Sequence, residues 1–334
     1  MTLTSQCRQH LLTTILLLTL TPLNGMAQSG TLIVTNKSPA TATLLDVASG
    51  TVLATLPTGQ GPHEVVLSRE GSVAVVTDYG SQVAGSSLTV IDVPGRRVSR
   101  TIALGEYRRP HGIVMLPGDS LVAVTSEVNG VLLIVHVARG EVVRAIPTTQ
   151  RGSHMVGVTG DGRRAWTGNI GSNTISELDL VTGTFVRTID VPAQPEAINV
   201  TPDGREVWVG SNSTGTVSVV DVATGAVTTA ATGLGWPYRV VYSPDTVLVL
   251  LPDLRGETLR FVDRKTRIER HRLTLPGAAP QGIVISPDGR HAFHSFSARG
   301  VVAVIDLAQH RVVREIAAGE TPDGVAFTTR VIRR

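Results

Sequence analysis

A chain of 334 residues, 42% apolar and only 17% charged, holds the material for a substantial core, which excludes a disordered chain. Its formal charge of +3, with arginines scattered instead of blocked, argues against nucleic acid as a partner. The single cysteine, Cys7, lies near the N-terminus, so disulfide, thiolate-metal and cysteine-nucleophile chemistry are excluded from the body of the chain.

Residues 1–27 read as a cleaved export signal. Arg8 is the only charge before the apolar run "LLTTILLLTLTPL", and "NGMA" ahead of Gln28 offers small residues at a cleavage position. Threonines and Pro22 interrupt the run, which is too short and too poorly flanked for a membrane span, an uncleaved anchor being the alternative. No span is expected after cleavage. The predicted address is the periplasm, with secretion to the medium as the alternative. Residues 28–330 form one domain and residues 331–334 a short tail.

Glycine is abundant (34 residues) and aromatics are sparse (4%), a balance that favours strands and tight turns. Residues 31–59 carry three strand signals. There follow "GPHEVVLSREGSVAVVTD", "RPHGIVMLPGDSLVAVTS", "GSHMVGVTGDGRRAWTGN", "QPEAINVTPDGREVWVGS", "WPYRVVYSPDTVLVLLPD", "APQGIVISPDGRHAFHSF" and finally "TPDGVAFTTR". One phase residue recurs through them: His63, His111, His154, Glu196, Tyr238, Gln281 and Asp323, at intervals of 48, 43, 42, 42, 43 and 42. A period near 42 with four strand signals per unit is that of a propeller blade. "PDGR" and "VATG" supply the tight turns. Asp46, Asp92, His136, Asp179, Asp221, Asp263 and Asp306 end each third strand and read as side chains capping the next turn.

The last unit is a first strand with nothing after it, and residues 31–59 are second, third and fourth strands with no first. The two ends therefore complete one blade. The prediction is an all-β, seven-bladed β-propeller with four antiparallel strands per blade, closed by N-terminal strands pairing with the C-terminal strand. A closed ring with no open edge predicts a monomer.

"LIVTN", "TPDGREVWVGSNSTGTVSVVDVATG" and "SPDGRHAF" resemble the YVTN-type β-propeller repeats of exported and surface-layer proteins of bacteria and archaea. The resemblance runs from about residue 31 to residue 329. It implies the fold and leaves function open, since similar propellers serve as lactonases, as haem d1 domains and their biosynthetic partners, and as binding proteins.

The phase residue begins each inner strand, so the seven should ring the mouth of a central channel. The loops after each second strand open on the same face, as do Tyr107, Arg108 and Arg109, Arg151, and Trp236. Three imidazoles beside Glu196 would suit a divalent transition metal, with His63, His111, His154 and Glu196 as ligands, although no compact H-x-x-x-H spacing exists. A metal-free ligand site and a structural channel lining are the alternatives; no cofactor is required by any motif. Arg108, Arg109, Arg151, Arg239, Arg255 and Arg299 should make this face basic and draw a small anion. Tyr79, Tyr107, Trp236 and Tyr238 are too few to stack single-stranded nucleic acid. Asn169, Ser172 and Asn173 could donate hydrogen bonds to a ligand or serve their own turn, and His294 reads as buried packing.

Three functions remain open. The first is a binding or accessory protein for a small anionic molecule, using His63, His111, His154, Glu196, Tyr238, Gln281, Asp323, Arg109, Arg151, Asn169 and Trp236. The second is a metal-assisted, lactonase-like hydrolase or lyase with Glu127 or Asp323 moving the proton. The third is a scaffold for a periplasmic protein partner.

Overall fold

A computed structural model describes residues 28–332; residues 1–27, on which the export-signal expectation falls, and the last two residues lie outside them. Seven four-stranded antiparallel sheets surround a channel, and in six of them the strands lie side by side in chain order. The remaining one, the first blade, pairs Pro322–Thr328 with Thr31–Asn36, followed by Thr41–Asp46 and Val52–Pro57, so the predicted clasp closes the ring. No described helix is long and apolar enough to cross a membrane.

Each blade packs both faces against its neighbours. Its middle strands are therefore apolar runs rather than alternating ones, as in Leu32, Ile33 and Val34, all without exposure. One core layer joins Val75, Leu88 and Val90 of the second blade to Val122, Val124, Leu133 and Val135 of the third. Outer strands such as Arg97–Ala103 are mostly exposed.

Two repeated devices position the channel. Every inner strand with a continuous ladder bulges at the phase residue. Pro62 faces Asp78 and Val65 faces Val76, so His63 and Glu64 oppose Thr77 alone; similar shifts fall at Pro110/Ile113, Ser153/Val156, Pro195/Ala197 and Pro280/Ile283. A bulge re-aims side chains. The threonine opposite it takes up the backbone group that the ladder drops. Thr77 accepts from the Glu64 N–H (3.0 Å), and Thr125 accepts from the Gly112 N–H (2.9 Å) while donating to the His154 carbonyl of the next blade (2.6 Å). Replacing Thr125 by valine keeps the volume but leaves that buried N–H unpaired. We expect a loss of about 1–3 kcal/mol, seen as a lower urea midpoint at unchanged m-value; an unaltered midpoint would show that the hydroxyl carries no such role.

The second device joins blades at the rim. Arg100, Arg144, Arg187 and Arg314 of the outer strands donate to carbonyls in the third-to-fourth-strand turn of the following blade: Ala138, Leu180 and Val181, Val222, and Val47 and Ala48. Gly50 and Gly183 in those turns sit at φ of 75° and 74°, and a Cβ on either would collide with the arriving arginine. Arg314 thus ties the clasp blade to its neighbour. The strand-ending residues cap their turns as the sequence implied. Asp46, Asp92, Asp179, Asp221, Asp263 and Asp306 accept backbone N–H groups at 2.7–3.0 Å, and His136 Nδ1 accepts from Arg139 at 3.3 Å.

One predicted strand is curtailed. In "WPYRVVY" only Val241–Tyr242 pairs regularly, with an isolated bridge from Pro237 to Asp253. The Asp253 carboxylate instead takes the N–H groups of Gly235 and Trp236, at 2.9 and 2.7 Å.

Candidate functional site

Because the bulges turn the phase side chains toward the axis, residues remote in sequence meet at the mouth. Asp323, from the last strand, is fully buried. Its Oδ2 lies 2.7 Å from His63 Nδ1 and 3.0 Å from Lys37 Nζ, and its Oδ1 accepts the Tyr238 hydroxyl at 3.0 Å. Burial alone would raise this carboxyl. Lys37, His63 and Arg239 overcome that and hold it below the ordinary carboxylate range. On the other side His154 Nδ1 lies 2.7 Å from Glu127 Oε2, and the Tyr79 hydroxyl bonds Glu127 at 3.2 Å. Burial opposes the Glu127 charge as well, but His154, Tyr79 and Arg109 outweigh it and lower its pKa. Both carboxylates, assigned from sequence to proton transfer, thus sit directly behind histidine Nδ1 atoms, where they can orient the rings.

The mouth is not the open ring expected from the sequence. Tyr238 reaches across to Asp323, and one residue deeper Arg239 forms an ion pair with Glu64 from the far side of the channel. Burial pushes the Glu64 carboxyl up, against the pull of Arg239. Arg239, assigned from sequence to the basic face, is thus enclosed; its guanidinium also lies 4.1 Å from the Tyr238 ring. Below this plug the channel opens into a cavity of about 350 Å³ walled largely by aliphatic residues such as Val66, Val114, Val241 and Val284.

The three histidine rings lie side by side in a row, tilted to one another by 43° and 32°. Ring centroids lie 4.7 Å apart for His63 and His111 and 3.7 Å for His111 and His154, with Tyr79 edge-on to His63 at 4.6 Å and to His111 at 5.2 Å. His154 Nε2 is 3.9 Å from Glu196 Oε1. Among the described residues no three His, Cys, Asp or Glu side chains form a group that could hold a metal, so the tetrad of His63, His111, His154 and Glu196 is not gathered as a metal site.

His111 is 3% exposed and its Nδ1 has no hydrogen-bond partner. Burial holds its pKa well below 6.5, reinforced by His154 and His63; burial also lowers His63, against the pull of Asp323. For a depressed histidine the unfolded chain binds the proton more readily. The stability lost on this account begins as pH falls through 6.5 and grows toward the folded value. We expect the wild type to lose more stability than His111→Gln between pH 7.5 and 5.5, by up to about 1.4 kcal/mol per pH unit below 6.5. Equal losses in paired urea titrations would remove His111 as the cause.

The remaining predicted residues divide. Arg109 lies over the Tyr79 ring at 4.6 Å, and Arg151 is exposed and donates to the Gly171 carbonyl. Trp236 packs beneath Arg255 at 4.3 Å. Gln281 has a buried, unpartnered Oε1. Asn169 is fully enclosed among Ser153, Thr167, Thr174 and Ser176, so it is a strand link and not a ligand contact. His294 is packing as expected, bonded to the Gly282 carbonyl at 2.9 Å and lowered to about 4 by burial. Lys37, Glu64 and Asn212 were not singled out from sequence, and Tyr79 only as a stacking ring. Glu64 and Arg239 did leave a signal, being the only charged residues at the position after the phase residue.

Residues 119–243 match the family model described as a YNCE-like β-propeller. No curated protein matches the chain. In structure it is similar to the hydrazine synthase of Kuenenia stuttgartiensis (17% identity, 82% of this chain and 96% of that one, TM-score 0.68). It is also similar to a functionally unknown protein from Desulfotomaculum acetoxidans (15%, 90% and 99%, 0.72), and to the dihydro-heme d1 dehydrogenase NirN in complex with DHE (15%, 92% and 77%, 0.66). At these identities the likeness is one of fold.

Proposed function

We propose that this β-propeller is an exported binding protein that seats a small anionic molecule over the channel mouth. The observation that carries the reading is the arc of His63, His111, His154 and Tyr79, fixed from behind by Asp323 and Glu127. Lys37 and Arg109 lie beside it. Arg108, Arg151 and Arg255 carry no salt bridge among the described residues, which leaves them available to steer an anion. The dihydro-heme d1 dehydrogenase NirN, of similar fold, is seen in complex with DHE, which supports a propeller of this shape as able to hold a bound molecule. Export to the periplasm rests on the pattern of residues 1–27.

Calorimetric titration of residues 28–334 with butanoate, succinate and their neutral amides tests it. The carboxylates should bind saturably and the amides not, and Lys37→Gln with Arg109→Gln should weaken carboxylate binding at least tenfold. Equal binding of the amides, or no effect of the double substitution, would count against the anionic reading.

A second reading, a hydrolase or lyase, is favoured by the two carboxylate-backed imidazoles. With Nδ1–H donated to Asp323 or Glu127, the Nε2 lone pair of His63 or His154 is the basic atom. Turnover of simple lactones that disappears in His154→Ala would favour it over binding alone.

A further inference from the structure

The charges at the mouth are unevenly answered. Lys37 pairs with Asp323 at 3.0 Å, and Glu127 is held by His154 and Tyr79. Glu64, deeper, is paired with Arg239. Glu127 and Glu196 both lack a Lys or Arg salt-bridge partner among the described residues, but both Glu127 oxygens accept hydrogen bonds, whereas Glu196 has one oxygen left over. It is 6% exposed, its Oε2 accepts from Asn212 Nδ2, and its Oε1 takes no hydrogen bond among the described residues. The nearest candidate for Oε1, His154 Nε2, stands 3.9 Å away, beyond hydrogen-bond reach, the Nδ1 of that ring being the atom that meets Glu127. A carboxylate largely withdrawn from water is retained where something compensates its charge. Elsewhere on the arc Arg109 carries no salt bridge among the described residues; it lies over the Tyr79 ring, which is edge-on to His63, and donates to the Ser81 carbonyl.

We infer that the molecule seated at the mouth is an amino-carboxylate, whose carboxylate faces Lys37 and Arg109 while its ammonium group pairs with Glu196 Oε1. This rests on the anion-binding reading and narrows it. A ligand with one charge of each sign neutralises both unanswered groups, whereas a simple anion adds negative charge to a mouth that already holds three carboxylates, Asp323, Glu127 and Glu196, against two cations. The specificity lies in Glu196, and the affinity for the anionic end lies elsewhere.

The test is calorimetric titration of residues 28–334 with 4-aminobutanoate and β-alanine against butanoate and propanoate, which match them in chain length and lack the ammonium. In the wild type the amino compounds should bind roughly ten- to a hundredfold more tightly, the range for a charged hydrogen bond. Glu196→Gln keeps an oxygen for Asn212 and should erase that preference, while butanoate binding persists and, with one carboxylate fewer at the mouth, tightens; an unchanged far-UV circular dichroism spectrum and thermal midpoint report that the variant is folded. Equal affinity of amino and des-amino compounds in the wild type overturns the inference and leaves the anionic reading standing. A preference that survives Glu196→Gln overturns the assignment of the ammonium to Glu196. Absence of saturable binding by all four overturns both.

Discussion

Asp323→Ala should cost about 3–5 kcal/mol, the loss expected when one partner of a buried charged network is removed. The carboxylate is fully enclosed and joins three blades, since His63, Lys37 and Tyr238 come from the second, the clasp and the sixth. Its removal leaves a lysine beside buried polar groups with no counter-charge, at the blade where the ring closes. The same residue should shape the acid limb. Its folded pKa is depressed, so its contribution is complete above the ordinary aspartate range and is lost as pH falls toward the folded value. Urea titrations at pH 7 and pH 2.5 should therefore show a larger penalty for Asp323→Ala at pH 7. A penalty below about 1 kcal/mol at pH 7 would mean that the mouth is not held together by this carboxylate.

Arg239→Met should be comparably damaging, about 3–5 kcal/mol near neutral pH, because Glu64 would be left charged inside the channel. The double change Arg239→Met with Glu64→Leu should recover most of that loss, since an apolar pair fills similar space without a desolvated charge. A double-mutant cycle reads the coupling directly. Burial already pushes the Glu64 carboxyl up, and losing Arg239 removes the main opposing influence. The carboxyl should then take a proton more readily, so the penalty of Arg239→Met should shrink as pH falls. Additive single changes would show that the two residues do not form one plug.

The blades were legible because a period near 42 survives in the phase residues and in the turn aspartates, both of which repeat for local geometric reasons. The clasp followed from counting strands at the two ends. The identity of the mouth residues was legible for the same reason, since residues at one phase must lie at one depth in the channel. Their mutual orientation was not. Whether His63, His111 and His154 aim at one point or lie ring beside ring in a row depends on bulge geometry, which a periodic pattern does not encode. Lys37 escaped because it sits just past a second strand, where loops differ from blade to blade, and Tyr79 was read only as a stacking ring because its second strand, Val73–Gly80, runs longer than the others. Asn169 misled for a related reason. A polar residue at the end of a second strand looks like a loop donor, whereas its amide is consumed by the serines and threonines of its own and adjoining strands. Thr125 carried a role readable only afterwards: the threonine of the repeat holds the bulge on which the site depends.

Native mass spectrometry of the protein purified from a periplasmic extract, without a metal-binding tag, addresses the mouth as a ligand seat. The wild type should carry a small-molecule adduct that exchanges with added anions and is absent from the Lys37→Gln, Arg109→Gln variant. An adduct-free wild type at every extract concentration, or an identical adduct on the variant, would place the ligand elsewhere or deny it altogether.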